Sequence, residues 1–118
     1  MQALVVDDSV TMRRIISNIL TKLKFESIDE ARDGREALIA VKAKQYDIIM
    51  MDWNMPNMSG LDAVKRIRGE GLKVPIIMVT TEAEKIRVLE AIKAGINGYL
   101  VKPFTPDDLK AKLADFIS

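Results

Sequence analysis

The sequence contains no cysteine and no histidine among its 118 residues. Without thiols there is no disulfide, no thiolate zinc or iron-sulfur site and no sulfur nucleophile. Without imidazole there is no Ser-His-Asp triad, no imidazole metal ligand and no phosphohistidine carried on this chain. Carboxylates, lysine, tyrosine and hydroxyls are left to do chemistry, so a metal held here sees only oxygen, which favours hard cations such as Mg²⁺, Mn²⁺ or Ca²⁺. An excess of charge is missing too: Lys+Arg 18 against Asp+Glu 17 leaves +1, so no overall basic field collects nucleic acid. Apolar runs are short, Ile48 to Met51 and Ile76 to Val79 among them, far below the ~20 residues that cross a bilayer. No positive segment precedes the N-terminal apolar residues, which meet Asp7 and Asp8 at once, unlike a secretory signal. The expectation is a cytoplasmic protein with neither membrane nor nucleic acid as partner.

What is present is a folded composition, 48% apolar and 30% charged, on a length that suits one domain. Short apolar runs alternate with longer segments of helical period, the α/β signature. The predicted strands are Ala3 to Val6, Ser27 to Ala31, Asp47 to Met51, Pro75 to Val79 and Gly98 to Val101. Three are almost wholly apolar, as strands covered on both faces of a parallel sheet should be. Met12, Ile15, Ile16, Ile19, Leu20 and Leu23 recur at helical spacing, and Leu109, Leu113, Phe116 and Ile117 repeat the pattern. Ser59 with Asp62, Thr81 with Glu84, and Thr105 with Pro106 and Asp108 read as helix starts, each a hydroxyl followed three residues on by a carboxylate. Strand, loop and helix repeated with right-handed crossovers give an open five-stranded parallel sheet with five helices on both faces.

On that frame Asp7, Asp8, Asp52, Thr80 and Lys102 all fall at carboxyl ends of strands, the edge where open α/β sheets bind ligands. Any one such Asp is commonly a turn former or a cap, and Asp8-Ser9 could simply start the first helix. Three together are different, because two bare charges ~5 Å apart repel by roughly 3 kcal/mol at an effective dielectric of 20. If the first and third strands are neighbours, the carboxylates converge and need a cation. Lys102 supplies one charge and a divalent ion the rest; otherwise Lys102 is an ordinary solvated lysine. Carboxylates that hold a hard ion with open positions suit phosphoryl transfer. Asp52 would then be the nucleophile, Lys102 would neutralise phosphoryl charge, and Thr80 would donate its hydroxyl to a phosphoryl oxygen.

VVDDS at 5 to 9, DIIMMDWNMPNMSG at 47 to 60, MVTTEAEK at 78 to 85 and GYLVKPFT at 98 to 105 resemble, from end to end, the receiver domain of bacterial two-component response regulators. The residues after Asp52, namely Trp53, Asn54 and Met55, together with Lys85 and Tyr99, are most similar to the stand-alone chemotaxis regulators of that family. The resemblance implies a flavodoxin-like fold of strand order 2-1-3-4-5, a single receiver domain over residues 1–118 and a monomer. It implies that Asp52 accepts phosphate from the histidine of a separate sensor kinase, which accounts for the missing histidine. Asp8, Asp52 and the backbone carbonyl of Asn54 would hold Mg²⁺, with Asp7 acting mostly through water. Lys102 would bind the phosphoryl group before a cis Pro103, Thr80 would move toward it, and Tyr99 would swing inward behind. Asn54 and Glu82 match positions that tune self-dephosphorylation.

The implied output face comprises the fourth helix, fifth strand and fifth helix, where Ala83, Lys85, Val88, Tyr99 and Val101 resemble the surface that docks to the flagellar motor switch. Taken as residues alone, Tyr99 is equally an ordinary strand aromatic, and Val88 and Val101 equally core. Thr81 stands where the family usually has a smaller residue, and Ser59 replaces an Asp often seen before the loop glycine. Other readings are weaker. A haloacid dehalogenase-type phosphohydrolase wants a second Asp where Asn54 stands, and an amide cannot protonate a leaving group. A flavin carrier would need a hydroxyl- and glycine-rich phosphate loop where two carboxylates lie. A phosphorelay intermediate, or a receiver cut from a longer regulator, stays open. The expectation is a signalling module, not an enzyme, that uses Mg²⁺, a sensor histidine kinase and an effector protein.

Overall fold

A computed structural model describes residues 1–117. The elements in chain order are β1 (Gln2–Val6), α1 (Val10–Lys22), β2 (Ser27–Ala31), α2 (Gly34–Ala43), β3 (Ile48–Met51), α3 (Gly60–Gly69), β4 (Ile76–Thr80), α4 (Lys85–Ala94), β5 (Gly98–Val101) and α5 (Pro106–Leu113). All strand pairs are parallel and the order is β2-β1-β3-β4-β5, the flavodoxin-like arrangement. None of the described helices is long and apolar enough to cross a membrane.

The period of two along each strand divides the core into two layers. Leu4, Val6, Ile49, Met51, Ile76 and Met78 face one side, where Ala37 of α2, Val64 and Ile67 of α3 and Ala91 of α4 cover them. Ala3, Val5, Ile48, Met50, Ile77 and Val79 face the other, under Ile16 and Leu20 of α1 and Leu109 and Leu113 of α5. Each fully buried Val, Leu, Ile or Met side chain among these contributes about 1.5–3 kcal/mol, so β1, β3 and β4 anchor the fold. Val6 pairs with Met51, Met51 with Met78, and Thr80 with Val101, so these strands finish at one rim.

Local signals set most helix starts. Ser9 caps α1 by accepting from the Met12 N–H at 3.1 Å, and Ser59 caps α3 from the Asp62 N–H at 3.1 Å. Thr105 and Asp108 form a full capping box at α5, with Pro106 in the first turn.

Several boundaries differ from the sequence reading. β1 gains Gln2, β3 begins at Ile48 instead of Asp47, and β4 runs Ile76 to Thr80 instead of Pro75 to Val79. Proline lacks the N–H for a ladder bond, and Asp47 turns its carboxylate to the Gln2 N–H at 2.6 Å. Thr81 does not start a helix: it is exposed, α4 begins at Lys85, and Glu84 at the cap position makes no side-chain cap bond. Ile15 points to solvent, while Arg13 takes the buried place in α1. Phe116 and Ile117 lie beyond the end of α5 yet still pack on the second layer. The reading of one domain extends to Ser118, outside the described residues.

Candidate functional site

The rim is built by main-chain bonds that carry the ladder just past each strand. The Asp7 N–H donates to the Ala31 carbonyl at 3.1 Å, the Asp52 N–H to the Val6 carbonyl at 2.9 Å, and the Lys102 N–H to the Thr80 carbonyl at 2.8 Å. Because β1 lies between β2 and β3, Asp7, Asp8 and Asp52 converge: one carboxylate oxygen from each lies within 4.8 Å of the others. At that range each like-charge pair opposes by about 3 kcal/mol at an effective dielectric of 20.

The neighbours offset this in part. Lys102 donates through Nζ to Asp7 Oδ2 at 2.7 Å and lies 3.5 Å from Asp52 Oδ2. Its side chain is 12% exposed, so it is not a solvated surface lysine. Its bond to Pro103 is cis. Asp7 Oδ1 accepts from the Ser9 N–H at 2.9 Å, so both oxygens of this buried carboxylate already have donors. Asp8 is exposed. Asp52 Oδ1 accepts from the Trp53 N–H at 2.7 Å. Burial, and then the charge of Asp7, push the Asp52 carboxyl above its usual range against the opposing pull of Lys102, the Trp53 N–H and the Thr80 hydroxyl. One ammonium among three carboxylates leaves negative charge uncompensated. An all-oxygen donor set with that deficit fits a hard divalent cation.

Residues 3–114 match the model of the response regulator receiver domain. The chain belongs to that family. This receiver domain is 52% identical over 120 residues to the chemotaxis protein CheY homolog of Campylobacter jejuni, spanning 99% of this chain and 92% of that protein. It is 52% identical over 116 residues to chemotaxis protein CheY1 of Helicobacter pylori, spanning 96% of this chain and 94% of that one. Among solved structures it superposes on one chain of the CheX-CheY-BeF3-Mg²⁺ complex from Borrelia burgdorferi with a TM-score of 0.94 at 28% identity, spanning all of this chain and 90% of that one. It is thus a receiver of the kind found in chemotaxis response regulators, a two-component signalling module.

A second group in the receiver runs from the rim toward α4 and is centred on Glu82. The Glu82 N–H donates to Thr80 Oγ1 at 3.3 Å, its carbonyl accepts from the Tyr99 hydroxyl at 2.7 Å, and its Oε1 accepts from Asn54 Nδ2 at 3.2 Å. Thr80 is buried, and Tyr99 is half-buried with its ring against the first core layer. Burial, and then the charge of Glu82, raise the Tyr99 phenol above its usual range. Ala83, Lys85 and Val101 are exposed and Val88 is half-buried, so Val101 is surface and not core.

Three further polar residues, which form no motif in the sequence, stand near the receiver's rim. Buried Arg13 donates to the Asp7 carbonyl at 2.7 Å and pairs with Glu30 at 2.8 Å. Its spacing from Ile16 and Leu20 on the inward stripe of α1 was the available signal. Asp33 and Asn57 meet at 2.7 Å across a sequence separation that no local pattern reports.

Proposed function

We propose that this receiver accepts a phosphoryl group on Asp52 from the phosphohistidine of a sensor kinase. The observation that carries the reading is the meeting of Asp7, Asp8 and Asp52 at one rim with Lys102 bonded among them. Asp8, Asp52 and the main-chain carbonyl of Asn54 would hold Mg²⁺, and Asp7, with both oxygens engaged, would act through water. When bound, the ion supplies positive charge against the carboxylates and the phosphoryl oxygens. A carboxylate oxygen of Asp52 forms the new P–O bond while the P–N bond of the donor breaks. The electron pair stays on the imidazole nitrogen, which takes up a proton. No base is required of the receiver, because an ionised carboxylate attacks directly. Lys102 neutralises charge on the transferred group.

Signalling follows from the position of Thr80 Oγ1. It now accepts from the Glu82 N–H; turning to donate to a phosphoryl oxygen would loosen that contact. Glu82 also carries the Tyr99 hydroxyl and the Asn54 amide, so the 81–84 segment and the uncapped start of α4 would respond together. The altered face, Ala83, Lys85, Val88, Tyr99 and Val101 on α4, β5 and the loop before α4, would bind an effector, the flagellar motor switch. Asn54 and Glu82 would set the lifetime of the phosphoryl group, and residues 1–118 act as one receiver. Relatives named for chemotaxis, and a similar fold solved with BeF3 and Mg²⁺, support this reading.

The test is labelling with a phosphohistidine donor. Wild type should acquire a Mg²⁺-dependent, hydroxylamine-sensitive label, and Asp52→Asn should lose it by at least about a hundredfold, as when a nucleophile is removed. Full labelling of that variant would move the acceptor elsewhere.

A further inference from the structure

The loop from Asp52 to Ser59 carries Asn54, and its far end is fastened to the start of α2. Asn57 Nδ2 donates to Asp33 Oδ2 at 2.7 Å, while Asp33 Oδ1 caps α2 by accepting from the Glu36 N–H at 2.9 Å. Beside this pair the Gly34 N–H donates to the Met58 carbonyl at 3.0 Å. The two backbones approach so closely that a Cβ on Gly34 would sit 2.8 Å from the Met58 oxygen and 2.9 Å from the Ser59 oxygen. Asp33 is 7% exposed, and the Glu36 N–H together with the Asn57 amide hold its carboxyl below the usual range. Asn57 itself has φ 67°, a left-handed conformation that side chains other than asparagine and glycine rarely adopt. A left-handed residue fastened through a buried carboxylate has its conformation held by its surroundings.

The near end of the loop is fixed to the sheet: the Asp52 N–H bonds the Val6 carbonyl, and the Gly60 N–H returns to the Trp53 carbonyl at 2.8 Å. Asn54 lies between the two attachments, exposed, with its side chain directed to Glu82. Its main chain runs between these two fixed ends.

We propose that Asp33 and Asn57 are positioning residues for the rim: their hydrogen bond holds the loop so that the Asn54 carbonyl faces the same space as Asp8 and Asp52. This rests on the divalent-cation reading of the rim given above. Loosening the latch should weaken cation binding while the sheet, the carboxylates and Lys102 stay in place.

The probe is Mg²⁺ alone, titrated against the full chain by calorimetry and by emission of Trp53, the single tryptophan, which adjoins Asp52. Asn57→Gly removes the amide and tolerates the positive φ. Asp33→Ser keeps a helix cap but is too short to reach Asn57. Both should raise the dissociation constant for Mg²⁺ by about tenfold, the lower end for outer partners of a metal site. The combined exchange Asp33→Asn with Asn57→Asp keeps the cap and reverses the direction of the bond, and should return the constant to within about twofold of wild type, since one hydrogen bond replaces another. A merely structural role would shift thermal midpoints without Mg²⁺ and leave the constant alone. Unchanged affinity in both single variants, where wild type binds Mg²⁺ and Asp52→Asn binds it more weakly, overturns the latch and leaves the rim reading intact. No uptake by wild type overturns both.

Discussion

Asp29 shows how one side chain on the edge strand β2 carries a pH dependence separate from the rim. Its Oδ2 accepts from the Tyr46 hydroxyl at 2.6 Å and from Lys44 Nζ at 3.0 Å. The Tyr46 hydrogen bond first, and then Lys44, lower its pKa, while burial and Asp29 raise that of the Tyr46 phenol. A carboxyl whose folded pKa lies below its unfolded value, ~3.9, contributes stability that is fully present above the unfolded value. That contribution disappears as pH falls through the folded one. The Asp29 side chain is 43% exposed, so solvent screening keeps the ionic part well under ~1 kcal/mol. Asp29→Asn should therefore cost about 1 kcal/mol at pH 7, mostly through the weakened charge-assisted bond. Urea unfolding of the two proteins should give a gap that narrows below about pH 4, where the carboxyl gains its proton; a gap constant with pH would show that the charge is not its source.

Helix starts separate what local sequence decides from what the fold imposes. Thr105 completes its capping box, so Thr105→Ala should cost about 1 kcal/mol. Glu84 sits at the cap of α4 without a side-chain bond, so Glu84→Ser should stabilise by about 0.5–1 kcal/mol; denaturant midpoints of the two variants should move in opposite directions. The start of α4 departs from what local spacing predicts. Thr81 and Glu84 have the spacing of a cap and its partner, but the Glu82 N–H is committed to Thr80 and the Glu82 carbonyl to Tyr99. With those groups engaged outside a helix, α4 cannot begin until Lys85. The strands were legible because apolar runs stop abruptly, and the edge strand Ser27 to Ala31 matched even though its polar alternation made it the least distinct. Asp7, Asp8, Asp52, Thr80 and Lys102 were legible for the same reason, each standing where a run ends. Asp33 and Asn57, 24 residues apart, and Arg13, which reaches Glu30, act through contacts that only the assembled layers create.

The order β2-β1-β3-β4-β5 sets β1 beside β3 and so concentrates three carboxylates at one rim of a molecule whose net charge is only +1. Stability and function are opposed there: the fold that gathers the acids must also bear their repulsion, and Lys102 offsets only part of it. A domain of this size has about 5–15 kcal/mol in hand, so the penalty at the rim is a sizeable fraction. If a divalent cation belongs among these groups, its binding is linked to folding of the whole chain. At ten times its dissociation constant Mg²⁺ should add about 1.4 kcal/mol, which for a domain near this length raises the thermal midpoint by about 5 °C. Asp52→Asn removes one of the three charges while keeping the side chain's shape. It should be more stable than wild type in EDTA, and adding Mg²⁺ should raise its midpoint less. Thermal unfolding of both proteins in EDTA and in MgCl2, at matched ionic strength, reads the two effects together. Equal Mg²⁺ shifts in the two would place the cation away from Asp52, whereas a wild-type shift that shrinks in the variant ties the stability of the sheet to the charge balance at its carboxyl rim.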